Sequence, residues 1–222
     1  MSLSEQIDQQ YAKRNSKAHL YHQSDYITYS QEEIRTQIDA FLTRYFKDRG
    51  SLTLLEIGAG SGGNANMFQK LGLSLEHISF NELLPQRIEM IKQNFPLNKL
   101  YPGDAIQIDF DQQFDIVFQS TVFTSVLDNQ ARQYLATKMW DLLKPGGIIL
   151  WYDFIYNNPA NPDVRKVSVS EVEQLFDKSI KMEVAKVTLA PPIGRKVGKF
   201  YKLFNFKFLR SHILAVFQKG NK

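Results

Sequence analysis

The residues best suited to chemistry begin with Glu56. It stands one residue before the end of the apolar run Leu52 to Ile57, and that run stops at glycines. Gly58, Gly60 and Gly63 fit G-x-G-x-x-G. Glycines at a strand-to-helix corner turn the backbone sharply and let it approach a nucleoside-like ligand with no Cβ in the way. The motif alone is weak, since such glycines also serve turns that bind nothing. The acid adds information. Dinucleotide sites offer backbone amides to an anionic pyrophosphate at this corner, and a carboxylate beside them would repel it. A positively charged cofactor would favour the acid, and S-adenosylmethionine carries a sulfonium and an ammonium group.

Two more acids recur at the same depth. Glu82 closes a short apolar segment and is placed to accept hydrogen bonds from the two ribose hydroxyls. Asp104, in Gly103-Asp104-Ala105, is placed to accept from an adenine amino group. Glu82 would serve equally as a helix cap, and Asp104 as a turn former. For proton transfer the first candidate is Asp153, which precedes the loop 157–163, with His22 second; a structural role for Asp153 competes. Methyl transfer needs in-line approach of a nucleophile, so positioning carries much of the rate. A hydroxyl acceptor gains from a base because its pKa lies far above neutrality.

Hydrophobic spacing supplies the elements that would position these groups. A helix is expected over Asn64–Leu71, a strand over His77–Phe80, a helix over Pro85–Gln93 and a strand over Phe114–Phe118. A helix over Arg132–Leu143 should stop at the turn Leu143 to Gly147, before a strand over Ile148–Trp151. Ser211 to Lys219 reads as a last strand. Upstream, Ser30 and Glu33 have capping-box spacing and would open a helix to Lys47. Asp115, at a strand start, reads as structural.

In this order, the motifs resemble those of the class I S-adenosylmethionine-dependent methyltransferases. The matching stretches are Glu56 to Gly62, Glu82, Gly103 to Ala105, and Leu143 to Gly147, within residues 52–155. The resemblance implies an α/β Rossmann-like fold: a seven-stranded, mostly parallel twisted sheet flanked by helices. It implies that Glu56, Gly58, Ala59, Gly60, Glu82, Leu83, Asp104 and Ala105 line the cofactor site, with Gln119 close by. It also implies that residues 1–51 form an N-terminal helical lid, with Tyr11 over the cofactor, on a methyltransferase domain of residues 52–222. Weaker similarity, in the loop after Tyr152 and around Leu189, is to a bacterial subgroup that accompanies surface-polysaccharide or glycolipid biosynthesis.

Composition narrows the function. The 222 residues, 43% of them apolar, suit one α/β domain. Cysteine is absent, which excludes disulfides and thiol catalysis. Four scattered histidines have no metal-ligand spacing, so no metal is expected. A polar, acidic start and the lack of a long apolar run point to a cytoplasmic protein. Charge is uneven: residues 181–222 hold ten Lys and Arg against one acid, Glu183, although the whole chain is only +4. Within them, about 190–210, basic residues alternate with Phe200, Tyr201, Phe204, Phe206 and Phe208. Such an insertion suits an anionic membrane surface or single-stranded nucleic acid; the aromatics would otherwise be core.

The function expected is O-methylation of a sugar, glycolipid precursor or other small molecule, with possible peripheral contact at the inner membrane face. An RNA methyltransferase and a non-catalytic cofactor-binding subunit are the alternatives. No Asn-Pro-Pro-Tyr-type motif follows the fourth strand, which counts against an exocyclic amine as acceptor.

Overall fold

The computed structural model describes residues 25–157, 161 and 163–221. Strands β1 (Leu54–Ile57), β2 (Ile78–Glu82), β3 (Leu100–Pro102), β4 (Phe114–Ser120), β5 (Leu143–Phe154), β6 (Lys181–Leu189) and β7 (Arg210–Gln218) form one sheet in the order β3-β2-β1-β4-β5-β7-β6. The first five run parallel, and β7 is antiparallel to both β5 and β6. Helices α1 (Asp25–Tyr45), α2 (Ala65–Lys70), α3 (Pro85–Asn94), α4 (Asn129–Asp141), α5 (Val169–Leu175), α6 (Pro191–Val197) and α7 (Tyr201–Phe204) complete it. This is the doubly wound, Rossmann-like architecture that the resemblance implies.

Both faces of the sheet are buried, as a sheet with helices on either side requires. Alternation along the strands sorts the side chains. Leu54, Ile78, Phe80, Ile116, Phe118, Ile148 and Leu150 share one face with Phe41 and Leu42 of α1 and Phe68 of α2. Leu55, Ile57, Val117, Ile149 and Trp151 share the other with Leu135 and Met139 of α4 and Val172 of α5. The same period places Glu56 and Glu82 on the first face and Gln119 and Asp153 on the second.

Two local readings are corrected. Helix α1 already runs at Asp25, the first described residue, so it does not open at Ser30, whose hydroxyl instead donates back to the Ile27 carbonyl. Glu33 is not a capping partner either. Its carboxylate accepts from the Tyr201 hydroxyl (2.7 Å) and the Thr188 amide (3.2 Å) and pairs with Arg210. Tertiary anchors outweigh the capping signal: Tyr26 is buried and donates to the Leu189 carbonyl. In addition, Leu143 to Gly147 is the start of β5. Helix α4 still ends before it, at Asp141, after starting at Asn129 under a cap in which Asp128 accepts from the Ala131 amide. Strand β5 begins early because β4 pairs with it from Phe114, across an irregularity before Ile116.

The described part of residues 1–51 packs on the first sheet face and against α6 and α7. His22 and Tyr11 lie outside the described residues. Asp115 accepts from Thr53 and Lys144, holding three segments together at the start of β4.

Candidate functional site

Strand order reverses between β1 and β4, the switch point where open α/β sheets leave a crevice at their carboxyl edge. A cleft opens there, with about 730 Å³ of empty space including its mouth, a size usual for small-ligand sites. Gly58, Glu82, Leu83, Asp104 and Ala105 line it, as does Asn81. The apolar wall comes from Ile57, Ile106, Val122, Val126 and Leu135.

The glycine turn is built on left-handed backbone. Gly58 and Gly60 have φ of +62°, and Gly62 has +80°. A Cβ on Gly58 would lie 2.6 Å from Cγ2 of Val122, and one on Gly62 would lie 2.7 Å from the Phe95 ring. Gly63 has nothing within 4 Å and no positive φ. The working glycines are therefore 58, 60 and 62, one residue off the spaced motif at its end. Gly58→Ala is expected to cost about 1–2 kcal/mol from the left-handed backbone alone, and to push Val122 into the cleft. Thermal melting should show a drop of several degrees, while Gly63→Ala should melt like the parent.

Glu82, almost fully buried, ties the corner together. One carboxylate oxygen accepts from the Gly60 amide (2.7 Å); the other accepts from the Leu83 and Leu84 amides (2.9 Å each). A carboxylate has about four acceptor sites, so one remains on the oxygen that holds Gly60. That leaves room for one ribose hydroxyl, not two, with the turn intact. Asn81, which sequence reasoning passed over, donates to the Tyr101 and Gly103 carbonyls (3.0 and 2.9 Å) and so fixes the β3 loop against β2. Its only signal in the sequence was its place beside Glu82. Asp104 spends one oxygen on the Ile106 amide, closing a turn that presents Ala105 and Ile106.

Glu56 lies behind the glycine turn. Its Oε1 accepts from Asn64 at 2.6 Å, and its Oε2 is buried without a partner. Burial pushes its pKa up to about 8, with the Asn64 bond lowering it and the Glu82 charge raising it. Glu56 does not itself line the cleft, but positive charge bound nearby would favour the ionised form of its unpartnered carboxyl. Together with the glycine cradle and the free acceptor on Glu82, it fits a cationic nucleoside cofactor. Ala59 and Gly60 sit in the turn, where the Ala59 amide donates to the Asn81 carbonyl.

Gln119 and Asp153 are braces. Gln119 is fully buried, accepts from the Val122 amide and donates to the Tyr152 carbonyl. Between them, Thr121 takes a left-handed φ of +58°, rare for a β-branched residue. Its amide is held by the Tyr152 carbonyl, and this kink turns Val122 toward the cleft. Asp153 accepts from the Thr124 hydroxyl (2.8 Å), the Thr124 amide and the Phe154 amide. Burial raises its pKa to about 7 against those bonds. It does not line the cleft. Among the described residues, no cluster of three or more His, Cys, Asp or Glu could hold a metal.

Residues 55–151, just under half of the chain, match the family model described as a methyltransferase domain. A malonyl-[acyl-carrier protein] O-methyltransferase of Haemophilus ducreyi is 30% identical over 149 residues, 63% of this chain and 55% of the relative. The chain thus spans about half the length of that curated relative. A TehB-like S-adenosylmethionine-dependent methyltransferase from Corynebacterium glutamicum superposes with a TM-score of 0.60 at 17% identity, over 94% of this chain and 96% of that one. The glycopeptide N-methyltransferase MtfA, solved with S-adenosylmethionine, superposes with a TM-score of 0.56 at 17% identity, over 84% and 93%. At these identities the structural likeness is one of fold.

Proposed function

We propose that this chain, which carries an S-adenosylmethionine-dependent methyltransferase domain, transfers a methyl group to an oxygen of a small molecule, sugar or glycolipid precursor. The observation that carries the reading is Glu82, buried at the cleft and holding the Gly60 amide at 2.7 Å with one acceptor position to spare. The bound cofactor would supply an electrophilic methyl on a cationic sulfur. The chain's own part is to hold and orient it. Glu82 would take a ribose hydroxyl, Ala105 and Ile106 with Val122, Val126 and Leu135 would hold the base, and Glu56, behind the glycine turn, would favour the positive charge. An oxygen acceptor is supported by the Haemophilus relative, a malonyl-[acyl-carrier protein] O-methyltransferase. Sugar and glycolipid acceptors rest on the subgroup resemblance.

Asp153 is a positioning residue for the loop from Thr121 to Ser125, because its oxygens are engaged by Thr124 and Phe154. Turnover to S-adenosylhomocysteine, measured with a panel of hydroxylated acceptors and without acceptor, tests the activity. Acceptor-dependent turnover is expected; cofactor binding with no turnover on any acceptor would favour the non-catalytic subunit. In the same assay Asp153→Asn should melt several degrees lower, from the ~1–3 kcal/mol of an unsatisfied buried group, and bind cofactor nearly as well. A loss of turnover of ~10²-fold at unchanged stability would instead make Asp153 the proton acceptor.

A further inference from the structure

We propose that the segment from Pro191 to Arg210 docks the protein on an anionic lipid surface and so turns the mouth of the cleft toward acceptors held in that surface. Strand pairing decides where the segment lies. His212, at the start of β7, pairs with Phe154 at the end of β5 and with Val187 near the end of β6. The connection between β6 and β7 therefore sits at the carboxyl edge of the parallel strands, the edge that holds the cleft.

The chemistry of that connection is one-sided. Of its 20 residues six are Lys or Arg and none is acidic. Helix α1 neutralises part of this charge: Glu33 pairs with Arg210, and Glu32 with Lys202. Lys196 and Lys207 have no acidic partner among the described residues, and Lys199 lies 5.3 Å from the Phe200 ring centroid. Tyr201 is the aromatic that turns inward, packing with Tyr26 and Leu189 as the segment's anchor. Val197 and Leu209 pack against the same anchor, while five large apolar side chains face out. Leu203 is 69% and Phe208 77% exposed, with Phe200, Phe204 and Phe206 about half exposed. These are five of the thirteen exposed large apolar residues of the described chain, gathered within nine positions.

An exposed apolar cluster marks an interaction surface. Lysines around protruding Phe and Leu select a lipid interface: the apolar side chains enter the headgroup boundary while the ammonium groups meet lipid phosphates. Single-stranded nucleic acid is the weaker match. Leu203 offers no ring for a base to stack on, and Phe206 and Phe208 already stack on each other at 5.7 Å and 10°. No helix among the described residues is long and apolar enough to cross a membrane, so attachment by this segment would be peripheral.

The docking rests on the methyltransferase reading only for what it brings to the cleft, and one set of samples separates the two. The full chain is floated with phosphatidylcholine vesicles and with vesicles rich in phosphatidylglycerol, at low and high salt, while S-adenosylmethionine binding and thermal melting are measured in parallel. Binding to the anionic vesicles at low salt, loosened by high salt, is expected. Each lysine at an anionic surface is worth roughly fivefold in partitioning, so the triple change Lys196→Gln, Lys199→Gln and Lys207→Gln should weaken binding roughly a hundredfold. Leu203→Ser with Phe208→Ser should weaken it at least tenfold while keeping the salt dependence. All five side chains lie outside the core, so melting and cofactor affinity should hold. Absence of vesicle binding at low salt, or binding untouched by both variants, overturns the docking. Binding of single-stranded RNA with a steep salt slope and none to vesicles overturns it too. Vesicle binding without S-adenosylmethionine binding would sink the methyltransferase reading and leave the docking standing.

Discussion

Glu82→Ala is expected to lower affinity for S-adenosylmethionine by about a hundredfold or more. The change removes two things at once. One is the remaining acceptor position for a ribose hydroxyl, a charge-assisted bond worth ~1.5–3 kcal/mol, or roughly ten- to a hundredfold. The other is the buried anchor of three amides, those of Gly60, Leu83 and Leu84. With the Gly60 anchor lost, the glycine turn is no longer held in its ligand-ready shape, and ordering it again must be charged to binding. Glu82→Gln should fall between, because an amide supplies one acceptor oxygen and must set its NH₂ against an N–H donor. Titration calorimetry reads both variants, with thermal melting as the control for folding. Affinity within threefold of the parent in Glu82→Ala would place the cofactor elsewhere.

The second large effect is a proton linkage at Glu56. Burial lifts its folded pKa from an ordinary 4.5 to about 8. A raised pKa means that the folded state holds the proton more tightly than the unfolded chain. Its contribution to stability is therefore complete below about pH 4.5 and lost as pH rises through 8. A cofactor bearing sulfonium and ammonium charges would favour the carboxylate and draw the pKa back down. Binding at pH 7 should then release up to one proton. Affinity should rise by as much as tenfold per pH unit as pH approaches 8, then level off. The ligand's own amino group titrates near ~8, so the informative quantity is the difference between the parent and Glu56→Gln. Calorimetry in buffers of different ionisation enthalpy measures it. A pH slope that persists in Glu56→Gln would show that Glu56 is not the linked group.

Much of the site was legible because it rests on local chemistry. Only glycine takes the turn after Ile57 without strain, and an acid at the end of β2 reaches no farther than the adjacent turn. Distances along the chain are short here, 22 residues between Gly60 and Glu82. What sequence spacing misassigned was decided at longer range. The third cradle glycine is Gly62 because Phe95, from the end of α3, packs against it. Asn81 matters because β3 and its loop return to its side chain. Ser30 looks like a cap, but the helix already runs through Tyr26, which is tied to Leu189, 163 residues away in sequence.

The sequence by itself determined the order of β1, β2, β4, β5 and β7 and of helices α1 to α4, the glycine corner, the acids Glu56, Glu82 and Asp104, and the charge of the last 42 residues. These follow from side-chain type and near-neighbour spacing. Only the tertiary structure decided the rest. Burial and the nearness of Glu82 raise the pKa of Glu56, and neither can be read along the chain. Asp153 falls by strand alternation on the face that meets Thr124, so its oxygens are taken up by a loop 29 residues away. The antiparallel return of β7 carries the basic segment to the cleft edge, because His212 must pair with both Phe154 and Val187.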